Sequence, residues 1–82
     1  MDFSLTDHAR KRCLRRGIAE DWIARALNHP ARIEIDHEDP NLMHALLPIP
    51  ERAFRVRRVI YNEHREPAAV VTAYFDDGVK DR

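Results

Sequence analysis

The stretch TDHARKRCLRRG, from Thr6 to Gly17, has the pattern of a short basic helix with a marked beginning and end. Thr6 suits the N-cap position, because its hydroxyl can accept one of the unpaired backbone N–H groups of the first turn. Gly17 suits the end of the helix, because glycine enters the left-handed conformation without steric cost. At about 100° per residue, Ala9 and Cys13 share a narrow apolar stripe. We therefore expect the helix to dock through these two residues.

Three polar side chains follow one edge of that stripe, one helical turn apart: His8, Arg12 and Arg16. These residue types suit acid–base chemistry on a phosphate ester, because an imidazole moves protons and guanidinium groups stabilise the developing charge. A purely structural interpretation remains open. In that case His8 and Arg12 bond to neighbouring backbone or acidic groups and hold the helix on the rest of the domain.

The remaining pattern predicts one α+β domain spanning residues 1–82, with a frayed tail from about residue 76. A second helix with a single apolar stripe ends before Pro30, because the residue preceding proline disfavours the helical conformation. Alternating and β-branched residues then predict strands. We expect both helices on one face of a four-stranded antiparallel sheet, with 3–5 as a candidate fifth strand. The predicted helices are 7–16 and 20–28, and the predicted strands are 32–36, 42–47, 54–61 and 68–75.

The predicted core combines the second helix with alternate positions of the strands. The pattern leaves open which sheet face is buried, because the longest strand, 54–61, carries apolar and basic residues on both faces. We assign its positions Val56 and Ile60 to the core. The residues expected to be largely buried are Trp22, Ile23, Leu27, Ile33, Val56, Ile60 and Val71.

Composition narrows the classes of function. Fourteen Lys and Arg balance fourteen Asp and Glu, and this zero net charge disfavours a DNA-binding accessory protein. The single Cys13 rules out an internal disulfide and favours a reduced structural thiol. Five His without ligand spacing and two Gly predict neither a metal site nor a phosphate-binding loop, so we expect no cofactor. The absence of a signal peptide and of a long apolar run predicts a cytoplasmic protein that does not bind membranes.

The zero net charge conceals two basic segments, 8–16 and 52–58, which can form a patch for a polyanion. Because the helices cover one sheet face, the other face is a second place where polar side chains can meet a ligand. With the helix edge, these side chains are the types that RNA transphosphorylation uses without a metal. These polar side chains on the strands are His44, Arg57, Arg58, Tyr61, Thr72 and Tyr74.

The run TDHARKRCLRRGIAEDWIARALNHPARI resembles the opening of a family of small bacterial domains of unknown function. Residues 8–18 carry that family's pattern His-Ala-x-x-Arg-x-x-x-Arg-Gly-Ile, and RVIYNE and VVTAYFD resemble its last two strands. The family is similar in organisation to the RelE and barnase-like toxin superfamily of small metal-independent ribonucleases. The resemblance implies functional roles for His8, Arg12, Arg16, Thr72 and Tyr74.

Two functions follow from these observations. In the first, the chain is a RelE-like toxin or metal-independent endoribonuclease that acts on RNA and has a cognate antitoxin as its protein partner. In the second, it is a non-enzymatic interaction domain that presents an exposed sheet face to a protein partner or to a second copy, and the sequence does not decide the oligomeric state. In the first function, the catalytic residues are His8, Arg12 and Tyr74, and the substrate-binding residues are Arg16, Arg57, Arg58 and Thr72.

Overall fold

A computed structural model describes residues 2–78 and has an α+β fold, as predicted. Both helices begin and end where the sequence places them. A single 3-10 turn, Pro50–Arg52, separates the third and fourth strands. In chain order the elements are β1 (Phe3–Leu5), α1 (Asp7–Arg16), α2 (Glu20–Asn28), β2 (Arg32–Ile35), β3 (Leu42–Ile49), β4 (Arg55–Asn62) and β5 (Ala68–Asp76).

Helix α1 has the two ends that its sequence predicts. The Thr6 hydroxyl accepts the backbone N–H of Ala9 at 3.1 Å. Gly17 has φ 68°, in the left-handed region that favours glycine. Its own N–H, together with that of Ile18, bonds back to carbonyls of the last helical turn. The connection to α2 is therefore short and tightly held.

The five strands form one mixed sheet in the order β1-β5-β4-β3-β2. Strands β2 to β5 form an antiparallel meander, as predicted. The candidate fifth strand is real and pairs in parallel with β5, where Phe3 faces Ala68 and Leu5 faces Val70. This parallel pairing was not predicted, because a three-residue strand carries no local signal for a partner more than 60 residues away.

Both helices cover the same face of the sheet. Helix α1 lies over β1 and β5, and α2 lies over β3 and β4. The core between these layers includes Ile23 and Leu27, both of which were predicted to be buried. Neither helix covers the outermost strand, β2, and Ile33 on that strand is 51% exposed. The predicted burial of Ile33 is therefore wrong, because an alternating strand does not reveal whether a helix lies above it.

The two faces of β4 are used differently from the prediction. Val56 is buried as predicted, but Val59 and Tyr61 are the β4 residues in the main core beneath the helices. Ile60 is only half-buried. The pairing of β4 with β5 shifts between Ile60 and Tyr61, so that Val71 has no partner in the ladder. Trp22 and Val71, which were also assigned to the core, are half-buried as well.

Within residues 2–78, no helix is both long and apolar enough to span a membrane. Strand β5 continues to Asp76, and the end of the tail that was predicted to fray, residues 79–82, lies outside the described residues.

Candidate functional site

A surface groove opens where the C-terminal end of α1 meets the end of β5 and the start of β4. Three of its side chains are arginines and two are aromatic rings, so cations and π faces lie side by side. None of the side chains that line it is acidic. We call it the basic groove, and its lining residues are Arg16, Ile18, Arg52, Arg55, Tyr74 and Phe75.

Arg16 and Tyr74, two of the residues predicted from the sequence, meet in this groove. The Nη1 atom of Arg16 donates to the backbone carbonyl of Ala73 at 2.8 Å. The guanidinium carbon of Arg16 lies 5.8 Å from the centre of the Tyr74 ring. A carbonyl oxygen and a ring carry no net charge, so the positive charge of Arg16 is not neutralised by these contacts.

Alternating guanidinium groups and aromatic rings form a stack beneath the groove. The guanidinium carbon of Arg52 lies 5.0 Å from the centre of the Trp22 ring, and that of Arg57 lies 5.4 Å from the same point. Arg57 also lies 3.7 Å from the centre of the Phe75 ring, and Arg55 lies 4.3 Å from that ring. The order is therefore Arg52, Trp22, Arg57, Phe75, Arg55. Helix α2 supplies one ring, and β5 supplies the other.

Arg57 occupies the centre of this stack and is fully buried. Within residues 2–78, none of its three guanidinium nitrogens has a hydrogen-bond partner. Burial lowers the pKa of Arg57 to about 10, and the charges of Arg52 and Arg55 act in the same direction, while Cys13 opposes them. The charge of Arg57 can attract an anion in the groove, but the anion cannot contact the side chain unless the Trp22 or Phe75 ring moves.

The two arginines at the ends of the stack differ in how their charge is balanced. Arg55 donates to both carboxylate oxygens of Asp77, at 3.0 and 3.1 Å. Asp77 is exposed, so this pair lies in water at the rim of the groove. The Arg52 side chain makes no ion pair or hydrogen bond in the described part of the chain, and its guanidinium lies over the Trp22 ring. An anion can therefore reach Arg52 directly, whereas at Arg55 it must compete with a carboxylate.

The other predicted residues of α1 lie further along the same helix edge. His8 is exposed and Arg12 is half-buried. Neither side chain has a hydrogen bond or ion pair within residues 2–78. Because an α-helix rises by about 1.5 Å per residue, His8 lies about 12 Å along the axis from Arg16. The helix thus presents an unneutralised basic edge that ends in the groove.

Arg58 lies on the opposite face of β4, among acidic groups of this chain. Its Nε atom donates to Asp76 at 2.7 Å, and its Nη1 atom donates to Glu34 at 3.1 Å. The same Nη1 atom donates to Nδ1 of His44 at 2.8 Å. Because a guanidinium can only donate, Nδ1 of His44 must be unprotonated, and its Nε2–H faces Asp36 at 2.7 Å. Arg58 is therefore held by partners within the fold.

Thr72 lies near this network rather than in the groove. It pairs with Ile60 across the β4–β5 ladder, and its buried hydroxyl has no partner in the described residues. Of the seven predicted site residues, the structure thus places Arg16 and Tyr74 in the groove, His8 and Arg12 along the adjoining helix edge, and Arg57, Arg58 and Thr72 elsewhere.

Comparison with known protein families finds a match that covers most of the chain. A family model described as a domain of unknown function, DUF4258, matches residues 5–75, which include every residue that lines the basic groove. The chain belongs to the DUF4258 family. This confirms the predicted membership of a domain family of unknown function, while the link to RelE-like toxins stays a prediction. No curated protein and no solved structure matches the chain significantly.

Sequence reasoning missed part of the groove of this DUF4258 domain. Arg52, Arg55 and Phe75 were not selected, although the basic segment 52–58 contains two of them. That segment folds back on α2 through the 3-10 turn, and the approach of its arginines to Trp22 is a tertiary contact without a local signature. Within residues 2–78, no three His, Cys, Asp or Glu side chains converge in a way that could hold a metal ion.

Proposed function

We propose that this DUF4258 domain is an RNA-directed, RelE-like domain that binds single-stranded RNA in the basic groove. The observation that carries the proposal is the convergence of Arg16, Arg52 and Arg55 beside the rings of Tyr74 and Phe75. Single-stranded nucleic acids are bound by such combinations, because cations hold the phosphates while the bases stack on aromatic rings or on guanidinium planes. Arg55 and Arg57 already cover the two faces of Phe75, so Tyr74 is the groove ring that can stack on a base. Paired bases do not offer their faces in this way, so we favour a single strand.

The pairing of the arginines supports a ligand at the groove rather than on the opposite sheet face. A phosphate clamp should be underpaired when it is empty, because its natural partner is the ligand. Arg12 and Arg52 meet this condition in the described residues, and Arg16 bonds only to a neutral carbonyl. Arg58, in contrast, already has two carboxylates and an imidazole as partners.

The proposal can be tested by measuring the affinity of a fluorescent single-stranded RNA by anisotropy. Replacing Arg16 and Arg52 together with Gln should weaken binding about tenfold or more, since each removes a charged contact. The slope of log K against log salt should become shallower by about 0.7 per lost phosphate contact. The matched control is Arg65→Gln in the exposed β4–β5 turn, at the other end of these strands. Equal affinity of the double variant and this control would refute the groove.

Asp77 provides a test in the opposite direction. Its carboxylate accepts two hydrogen bonds from Arg55 at the rim of the groove, so it competes with phosphate for this guanidinium. Asp77→Asn should therefore tighten RNA binding several-fold, because it frees Arg55 and removes a negative charge. The expected gain should shrink in high salt. If Asp77→Asn weakens binding, RNA does not use Arg55.

Cleavage is a separate part of the proposal. A metal-independent ribonuclease needs one group to take the 2′-OH proton and another to donate a proton to the leaving oxygen, with cations on the phosphorane. Arg16 and Tyr74 are close enough to serve the same phosphate. His8 and Arg12 carry the roles implied by the resemblance, provided that the RNA runs along α1. In that case Tyr74→Phe and His8→Ala should abolish EDTA-resistant cleavage and relieve any growth arrest caused by expression.

A non-enzymatic interaction domain is the competing proposal. The exposure of His8, and the roughly 12 Å of helix between it and Arg16, favour it, because an acid and a base must flank the same phosphate. RNA binding without cleavage, and without arrest of growth, would select this alternative. Growth arrest that is neutralised by a co-expressed partner would instead favour a toxin with its antitoxin.

A further inference from the structure

Strand β2 forms an edge of the sheet that nothing in residues 2–78 covers. It is the last strand in the sheet order and pairs only with β3. Two of its four residues, Ile33 and Ile35, are 51% and 66% exposed on the helix side of the sheet. Soluble proteins usually protect such an edge with a proline, a bulge or unpaired charges. Strand β2 is short and carries the charges of Arg32 and Glu34, but these two neutralise each other, and Arg32–Ile35 contains no proline and no irregularity in its pairing with β3.

The opposite side of the sheet has a protected edge. Strand β1 covers only the first residues of β5, and beyond them α1 lies along β5. There Arg16 donates to the Ala73 carbonyl, one of the groups that an added strand would use. The two edges of the sheet therefore differ: a further strand could pair with only the three residues of β1 before α1 follows, whereas β2 offers all of Arg32–Ile35.

The charges of β2 complement a second copy of the same strand. Arg32 and Glu34 lie on one face, two residues apart, and bond to each other at 2.6 Å. In an antiparallel pair centred on Ile33, Arg32 of each copy lies directly opposite Glu34 of the other. Ile33 then meets its own counterpart on the other face. A carboxylate can accept up to about four hydrogen bonds, so Glu34 can keep its contact with Arg58.

We propose that two copies of this chain associate through β2, antiparallel and with Ile33 on the two-fold axis, to form a continuous ten-stranded sheet. Such an isologous contact closes on itself, because the same residues serve both partners. Backbone hydrogen bonds between the β2 strands supply the affinity, and the alternating side chains set the register. The proposal is independent of RNA binding, since the basic groove lies at the other side of the sheet.

Register can be tested by cross-linking with two matched variants. Directly opposed residues lie about 4.5–5.5 Å apart between Cα atoms, within the range of a disulfide. Ile33→Cys should therefore form a covalent dimer under mild oxidation. Ile35→Cys should not, because position 35 faces position 31 of the other copy, and the two introduced thiols would lie about 14 Å apart along the strands. The native Cys13 is buried and does not compete.

Charge reversal tests the same register without cross-linking. Sedimentation velocity of the parent across a concentration series should show a monomer–dimer equilibrium. Arg32→Glu and Glu34→Arg should each weaken self-association about tenfold or more, since like charges then face each other. An equimolar mixture of the two variants should form a heterodimer, because every opposed pair is again of opposite sign. Leu14→Lys, at an exposed apolar residue of α1, is the control and should dimerise like the parent.

Three results would overturn the proposal. The first is that the parent sediments as a monomer at every concentration. The second is that Ile33→Cys and Ile35→Cys cross-link equally. The third is that the mixture of the two charge variants stays monomeric although circular dichroism shows that both are folded. If Glu34→Arg fails to fold because it disturbs Arg58, the Ile33→Cys and Ile35→Cys pair decides the question alone.

Discussion

Replacing Arg57 with Met should leave the free energy of unfolding within about 1 kcal/mol of the parent. The charged guanidinium is costly in the fold, since lowering the pKa of Arg57 from its ordinary value to about 10 corresponds to about 3 kcal/mol. Two desolvated cation–π contacts, to Trp22 and Phe75, offset this cost by about 2 kcal/mol each. Met fills a similar volume between the rings and makes sulfur–aromatic contacts of its own. The substitution removes the cost of burying the charge and the cation–π contacts together, so the free energy of unfolding should change little.

The pH dependence of the same variant has a definite sign. The pKa of Arg57 is lower in the fold than in the unfolded chain, so its penalty is complete at neutral pH and is relieved as pH rises through about 10. Burial raises the pKa of Tyr61, and the stability it contributes is lost as pH rises above its unfolded value of about 10. Tyr61 is common to both proteins. The parent should therefore gain stability relative to Arg57→Met above about pH 10.

Urea unfolding monitored by tryptophan fluorescence is the assay, because Trp22 is the only tryptophan and lies against Arg57. Arg65→Met, in the exposed β4–β5 turn, is the control for the change of residue type. A loss of more than about 3 kcal/mol in Arg57→Met would refute the reasoning, since it would mean that Arg57 has a strong anionic partner within the fold. A stability difference between the parent and this variant that does not change with pH would contradict the linkage.

Three further predictions concern stability. Leu27→Ala should cost about 2–5 kcal/mol, because Leu27 is buried between α2 and the sheet, and a loss below about 1 kcal/mol in urea would contradict its core position. Ala53→Gly should raise the melting temperature, because Ala53 has φ 55° and glycine removes about 1–2 kcal/mol of strain there, which exceeds the entropic cost of glycine. A lower melting temperature would refute this. The hydrogen bond to His44 lowers the pKa of Asp36, so the stability that the Asp36 carboxylate contributes is complete above about pH 4 and is lost as pH falls further. In Asp36→Asn, the midpoint of urea unfolding should therefore depend less on pH in this acidic range.

Local features of the fold could be predicted well from the sequence. The ends of α1 depend on Thr6 and Gly17, whose hydroxyl and backbone freedom act within a few residues of the helix. The strands were recognised from alternation, from a short apolar run and from β-branched and aromatic residues, which are also properties of neighbours in the chain. The edge formed by His8, Arg12 and Arg16 follows from helical spacing alone. Such signals need no knowledge of what packs against the segment.

The errors all concern contacts between segments. Ile33 alternates like a buried residue, but its exposure depends on how far α2 reaches across the sheet. Arg57 occupies a core position where an apolar residue is expected, so it made the wrong face of β4 look buried. It is tolerated there because Trp22 and Phe75 enclose it, and both rings come from distant parts of the chain. The basic groove escaped prediction for the same reason.

The pairing of β1 with β5 has a consequence for biosynthesis. Leu5 and its partner Val70 are separated by most of the chain, so β1 has no strand to join until β5 has left the ribosome. At about 5–20 residues per second, this interval lasts about 3–13 s. Helix α1 packs mainly on β5, and the basic groove needs Arg16 and Tyr74 together. The groove is therefore absent from the nascent chain during synthesis and forms only when translation of the domain is nearly complete.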